Sequence, residues 1–87
     1  MTDKAEIQFP CFFPVKAIGR DIDDFEALVT GIVRRHVPGL KDDAISTRSS
    51  ARGTYLSVTA TFYADSQEQI DALYRELSAH KQVLYLL

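Results

Sequence analysis

Between Thr54 and Ala64 the apolar residues Leu56, Val58, Ala60 and Phe62 alternate with Tyr55, Ser57, Thr59, Thr61 and Tyr63. A period of two sends successive side chains to opposite faces of a β-strand, and the β-branched and aromatic content suits one. One face of this strand is apolar enough for a core, and the other is semi-polar. A fold built around it covers its sheet on one side and leaves the other to water or to a partner.

The rest of the chain supplies the covering layer. A first strand is expected over Phe12 to Gly19, where Phe13, Val15 and Ala17 alternate with Pro14, Lys16 and Ile18. Lys16 assigns the odd positions to the core. Pro14 has no N–H to give a ladder, so either the missing donor lies at a strand margin or the strand proper begins after it. From Asp21 to Val37 the period becomes 3.6, with Phe25, Leu28, Val29, Ile32, Val33 and His36 or Val37 on one stripe of an amphipathic helix. Asp21, Asp23 and Asp24 load its start, Arg34, Arg35 and His36 load its end, and Pro38-Gly39 stops it. A strand over Ala44 to Ser49 reaches the central one through the hairpin Ser50-Ala51-Arg52-Gly53. Ser66 and Gln69 form a capping box for a second helix, Gln67 to His80, striped by Ile70, Leu73, Tyr74 and Leu77. A final strand over Gln82 to Leu87 contains Val83 to Leu87, apolar on both faces.

The order βαββαβ with right-handed crossovers predicts an α+β, ferredoxin-like sandwich. Its sheet has four antiparallel strands in the order 4-1-3-2, with both helices on one face. Lys16, Ile18, Tyr55, Ser57, Thr59, Thr61, Tyr63 and one set of final-strand side chains, Tyr85 included, then line the open face. Residues 1–8 are polar and aperiodic and are expected as a flexible tail, ahead of a single domain over 9–87.

Composition removes several function classes. At 87 residues and 9.8 kDa there is room for one thin core and no second domain. Ten Lys and Arg against twelve Asp and Glu give a net charge of -2, with no broad positive field for nucleic acid or anionic lipid. Cys11 is the single cysteine, so no internal disulfide forms and a reducing, cytoplasmic setting is expected. No signal peptide is visible at the start, and no apolar run approaches the roughly 20 residues that span a bilayer.

Spaced residue groups along the chain resemble the YbeD-like family of small bacterial proteins. They are Phe9-Pro10, Lys16 with Gly19, Arg35-His36-x-Pro38-Gly39, Ser49-Ser50-x-x-Gly53-x-Tyr55-x-Ser57-Val58, and Leu73-Tyr74-x-Glu76-Leu77. The resemblance implies βαββαβ again, since that family is similar in fold to the ACT regulatory domains that sense small molecules. It supplies no ligand: after Gly19 nothing beyond the glycine matches the ACT pattern.

Chemistry-bearing residues are sparse. His36 and His80 fall at the ends of separate helices, Cys11 is near neither, and no nucleophile has an orienting partner. No enzyme, metal site or cofactor is expected. Arg48-Ser49-Ser50-Ala51-Arg52-Gly53 could hold a phosphate or carboxylate through two guanidiniums and turn amides, or could simply be a solvated hairpin. Arg52-Gly53-x-Tyr55 resembles the start of the third-strand box of the RNA-recognition motif, but Thr54 stands where an aromatic belongs. The expectation is a non-enzymatic regulatory or adaptor domain, binding a protein or itself through the open face and edge strands. The alternative is a sensor of a small anionic metabolite near Gly19 to Asp24 or the Arg48–Gly53 turn, and RNA binding comes third. Candidate residues are Lys16, Ile18, Gly19, Arg48, Ser49, Ser50, Arg52, Gly53, Tyr55, Tyr63 and Tyr85.

Overall fold

The computed structural model describes residues 8–87, so the tail expected over 1–8 lies, but for Gln8, outside the described residues. Its elements run β1 (Cys11–Arg20), α1 (Phe25–His36), a 3-10 turn (Asp42–Ala44), β2 (Ile45–Ser49), β3 (Tyr55–Ala64), α2 (Gln67–Ser78) and β4 (Tyr85–Leu86). The sheet order is β2-β3-β1-β4, which is 4-1-3-2 counted from the opposite edge. All three pairings are antiparallel, and the central one runs from Cys11↔Ala64 to Arg20↔Tyr55.

The odd positions of β1 and the even positions of β3 face the helices, as the alternation requires. Val15, Ala17, Leu56, Val58, Ala60, Phe62 and Ala64 are buried there against Phe25, Val29, Ile32 and Val33 of α1 and Ile70, Leu73 and Leu77 of α2. Gly19 belongs to this layer: a Cβ at that position would stand 2.3 Å from the Gln82 carbonyl oxygen and 2.5 Å from the Phe25 ring. Glycine lets Phe25 and the chain after α2 close over the end of β1.

Pro14 resolves by hydrogen-bond direction. Lys16 and Leu87 exchange both backbone bonds, at 3.2 and 2.9 Å, so the even residues of β1 point their backbone groups away from β3. The Pro14 nitrogen therefore faces the outer edge beyond the end of β4, where a missing donor leaves no gap in a ladder and discourages an added strand.

Three boundaries differ from expectation by more than one residue. Helix α1 starts at Phe25, not Asp21, because the Asp21 N–H is still bonded to Thr54 O at 3.0 Å in continuation of the β1–β3 ladder. Asp23 and Asp24 then adopt left-handed backbone, φ 54 and 55, and turn the chain into the helix. None of the three aspartates lies in the first turn, whose acid is Glu26, and the Asp24 side chain makes no cap bond. Helix α2 ends at Ser78, since Ala79 and His80 donate to Glu76 O and Leu77 O in a tighter turn that leaves His80 outside the helix. The last strand shrinks to Tyr85–Leu86 because Val83 is still tied to His80 O at 3.1 Å, so the chain first meets β1 at Leu84. Among the described residues no helix is long and apolar enough to cross a membrane.

Candidate binding face

Register sorts the open side of the sheet into cross-strand rows. Tyr85, Ile18, Ser57 and Arg48 form one row, through the pairs Ile18↔Tyr85, Ile18↔Ser57 and Arg48↔Ser57. Lys16, Thr59 and Ser46 form the next, with Leu87 bonded to the outer side of Lys16. Arg20 and Tyr55 pair beside the hairpin, and Phe12 and Tyr63 pair at the far end. Leu84 donates its N–H to Ile18 O at 2.8 Å although Tyr85 is the register partner of Ile18. Two residues thus stand against one, as in a bulge, and bring two apolar side chains to one spot.

These rows enclose a shallow groove of about 640 Å³ at the hairpin end, with Ile18, Leu84, Tyr85 and Tyr55 on its apolar side and Arg48 and Ser57 on its polar side. Ser49, Ser50 and Ala51 close its rim. A second depression of about 350 Å³ adjoins it and takes in Lys16, Ser46 and Thr59, with Arg48 common to both.

Six of the eleven candidate residues, Ile18, Arg48, Ser49, Ser50, Tyr55 and Tyr85, therefore meet in one place, and Lys16 stands next to it. The others do not. Gly19 is buried under Phe25 on the helix side and offers nothing to a ligand. Arg52 and Gly53 are exposed at the hairpin tip, where Gly53 takes φ 72 and donates to Ser50 O. Tyr63 is eight residues from Tyr55 along β3, about 27 Å in an extended strand, and its ring packs on Phe12 with centroids 5.1 Å apart. Within the groove Ser50 is already engaged: its N–H donates to Tyr55 O at 2.9 Å and its Oγ accepts from the Tyr55 N–H at 3.1 Å. Ser50 thus holds the hairpin closed. Ser49 pairs with Leu56, which places its side chain on the helix side.

Charge is segregated between the faces. The four strands contain no Asp or Glu, and their three cations, Lys16, Arg20 and Arg48, all occupy open-face positions. Among the described residues no carboxylate pairs with any of them; the ion pairs are Arg34–Asp42, Arg35–Glu76 and His36–Glu76. A net charge of -2 hid this because the acids among the described residues are gathered on helices and connections. Arg20, Ser46, Leu84 and Leu87 were not among the candidates, although the alternation of β1 and the acid-free strands would have pointed to Arg20.

A family model described as "Protein of unknown function (DUF493)" matches residues 4–87. The chain belongs to this family. Two DUF493 relatives carry the name UPF0250 protein, which is also the group of the YbeD-like resemblance. One from Nitrosomonas europaea is 40% identical over 87 residues and is covered, like this chain, to 100%. One from Neisseria meningitidis serogroup C is 41% identical over 81 residues, which span 93% of this chain and 89% of the relative. The solution structure of protein HP0495 from H. pylori superposes with a TM-score of 0.73 at 12% identity, over 99% of this chain and 90% of that one. That likeness is one of fold.

Several residues behind the resemblance to DUF493 proteins build the frame. Glu76 of α2 takes Arg35 on one oxygen and stands 2.7 Å from His36 Nε2 on the other. Gln69 donates to His36 O at 2.9 Å, so the two helix ends are laced together. His36 is thereby a tie between helices more than a neutraliser of its own helix end. The Tyr74 hydroxyl donates to Leu87 O at 3.1 Å, and its ring meets Phe13 edge-on. Desolvation raises the Tyr74 pKa above its ordinary value of 10.0.

Proposed function

We propose that this chain is a non-enzymatic regulatory or adaptor domain of the cytoplasm that works by binding another protein through the hairpin end of its open sheet face. The observation that carries this reading is the convergence of exposed apolar side chains on unpaired cations. Tyr55, Leu84, Tyr85 and Leu87 are 41%, 47%, 65% and 66% exposed beside Arg48 and Lys16, which have no carboxylate partner among the described residues. Aromatic residues and Arg in partly desolvated depressions are what protein interfaces concentrate at their centres. The β1 edge beyond β4, with Pro14 in it, is a poor place for an added strand.

The test is chemical crosslinking in cells, identification of the captured protein, and reconstitution with that protein in purified form. Tyr55→Ala/Tyr85→Ala should abolish the reconstituted complex while leaving the fold intact, and Tyr63→Ala should spare it. A complex indifferent to the double variant would overturn the reading. Self-association is tested by sedimentation from micromolar to millimolar concentration.

A second reading, a sensor of a small anionic metabolite, is favoured by the size of the groove, which lies within the roughly 300–1,000 Å³ range of small-molecule sites. It predicts a thermal shift with carboxylate or phosphate metabolites that Arg48→Ala removes. At about 100 times its dissociation constant such a ligand stabilises by about 2.7 kcal/mol.

A further inference from the structure

The geometry points to an acidic polypeptide segment as the occupant of the open face, one that sets a large apolar side chain on Ile18, Leu84 and Tyr85 and a carboxylate between Arg48 and Lys16. This rests on the protein-binding reading of the same face and adds the chemistry of the partner. Three observations carry it. The first is charge complementarity: every ionisable side chain at an open-face strand position except the tyrosines is cationic, and among the described residues the acids are on helices and connections. The second is that the two depressions are different in kind and share Arg48. The apolar one suits an anchor side chain, whereas the polar one, with Lys16, Ser46 and Thr59, offers donors to a carboxylate. The third is spacing. Ile18 and Arg48 are two strand spacings apart in one row, about 10 Å, which an extended chain covers in roughly three residues. One short segment can therefore reach both.

The same observations argue against a nucleic acid. Its affinity comes from many phosphate contacts, on the order of 6–10, and three cations on this face cannot supply them. Single strands also need aromatic platforms at successive bases, but the middle of this face is Pro14, Ser57, Thr59 and Thr61. Phe12 and Tyr63 pack against each other, with their rings tilted by 59°, at the far end.

The experiment is selection of a displayed random library of peptides about 12 residues long on the whole protein, followed by fluorescence anisotropy with the most enriched peptide. The expected result is enrichment of Asp and Glu, with Leu, Phe, Ile or Tyr two to four positions away. The chosen peptide should weaken about tenfold or more against Arg48→Glu, and its affinity should fall with added salt. Arg48→Glu should keep the melting temperature of the wild type, since the side chain is exposed and unpaired. Peptides that Tyr85→Ala abolishes but that show no acidic bias would overturn this inference and leave the protein-binding reading standing. Peptides insensitive to both variants, or no enrichment at all, would overturn both. A single-stranded RNA of about 12 uridines that binds more tightly than the selected peptide would replace the acidic segment with a nucleic acid.

Discussion

The two faces of this sheet share one backbone and differ in nearly everything else. On the helix side the buried side chains of β1 and β3 are small or medium aliphatics and Phe62, at most 8% exposed, with Cys11 and Phe13 half-buried at the start of β1, and the helices contribute the bulk through Phe25, Ile32, Leu73 and Leu77. On the other side the same strands present Phe12 at 72%, Tyr55 at 41% and Tyr63 at 52% exposure, with Ser and Thr between them. The difference shows how an alternating strand divides its labour. Even positions of β3 fix the fold and odd positions are released from packing, so the odd positions can carry recognition without weakening the core. Substitutions on the two faces should therefore separate stability from binding.

The largest stability effect is expected in the buried layer. Leu73→Ala removes a fully buried side chain between α2 and the sheet, which should cost about 2–5 kcal/mol. At roughly 4–8 °C per kcal/mol for a domain of this size, thermal denaturation should move by about eight degrees or more. Gly19→Ala comes next. Its new Cβ would press on the Gln82 carbonyl and the Phe25 ring, and overpacking of this kind costs about 1–3 kcal/mol. Peptide binding by either variant, measured well below its own midpoint, should equal that of the wild type. Loss of binding in step with stability would merge the two faces into one unit.

How much of this was legible in the sequence follows from which contacts are local. The alternation of Tyr55 to Ala64 assigns both faces because the period of a strand is a local property, and the topology follows from the order of periods. Helix α1 was placed four residues early because its start is decided by a distant group: Thr54 O holds Asp21 in the ladder against its helical surroundings. The final strand was drawn too long for a similar reason, since the turn from His80 to Val83 decides where β4 begins. The alternation puts Ile18, Tyr55, Ser57 and Tyr85 on the open face, but not their meeting with Arg48 in one groove, because Arg48, Ser57, Ile18 and Tyr85 become neighbours only through three registers at once. Gly19 misled in the opposite way. A glycine after a strand resembles a place for a ligand to approach, yet here it is the ring of Phe25 that approaches.

Tyr74 tests the border between the faces, since it ties α2 and Phe13 to the last residue of the sheet. Tyr74→Phe keeps the ring contact and loses the hydroxyl bond to Leu87 O, so it should cost about 0.5–1.5 kcal/mol. It should also change the alkaline limb of the stability curve. Burial raises the Tyr74 pKa above 10.0, meaning that the folded state holds the phenol proton more tightly than the unfolded one. The contribution is whole below pH 10 and is lost as the pH climbs through the folded-state pKa. Chemical denaturation between pH 8 and 11 should show a fall at the top of that range that is shallower in Tyr74→Phe. Equal falls in both proteins would mean that the phenol is solvated and that the end of β4 is not held from the helix side.

The smallest stability effect should come from Tyr85→Ala, and it is the most informative about the open face. The side chain is 65% exposed, and substitutions at such sites lie within about 0.5 kcal/mol of neutral. The register of β4 does not depend on it, because the bonds that hold the strand run through the backbones of Leu84, Ile18, Lys16 and Leu87. If the open face is a binding surface, peptide affinity collapses in this variant while its melting curve overlays the wild type. If instead the melting temperature drops as far as in Gly19→Ala, the tyrosine is finishing a second small core with Ile18 and Leu84. The groove would then be a packing feature, and the separation of the two faces would fail at the position where it ought to be sharpest.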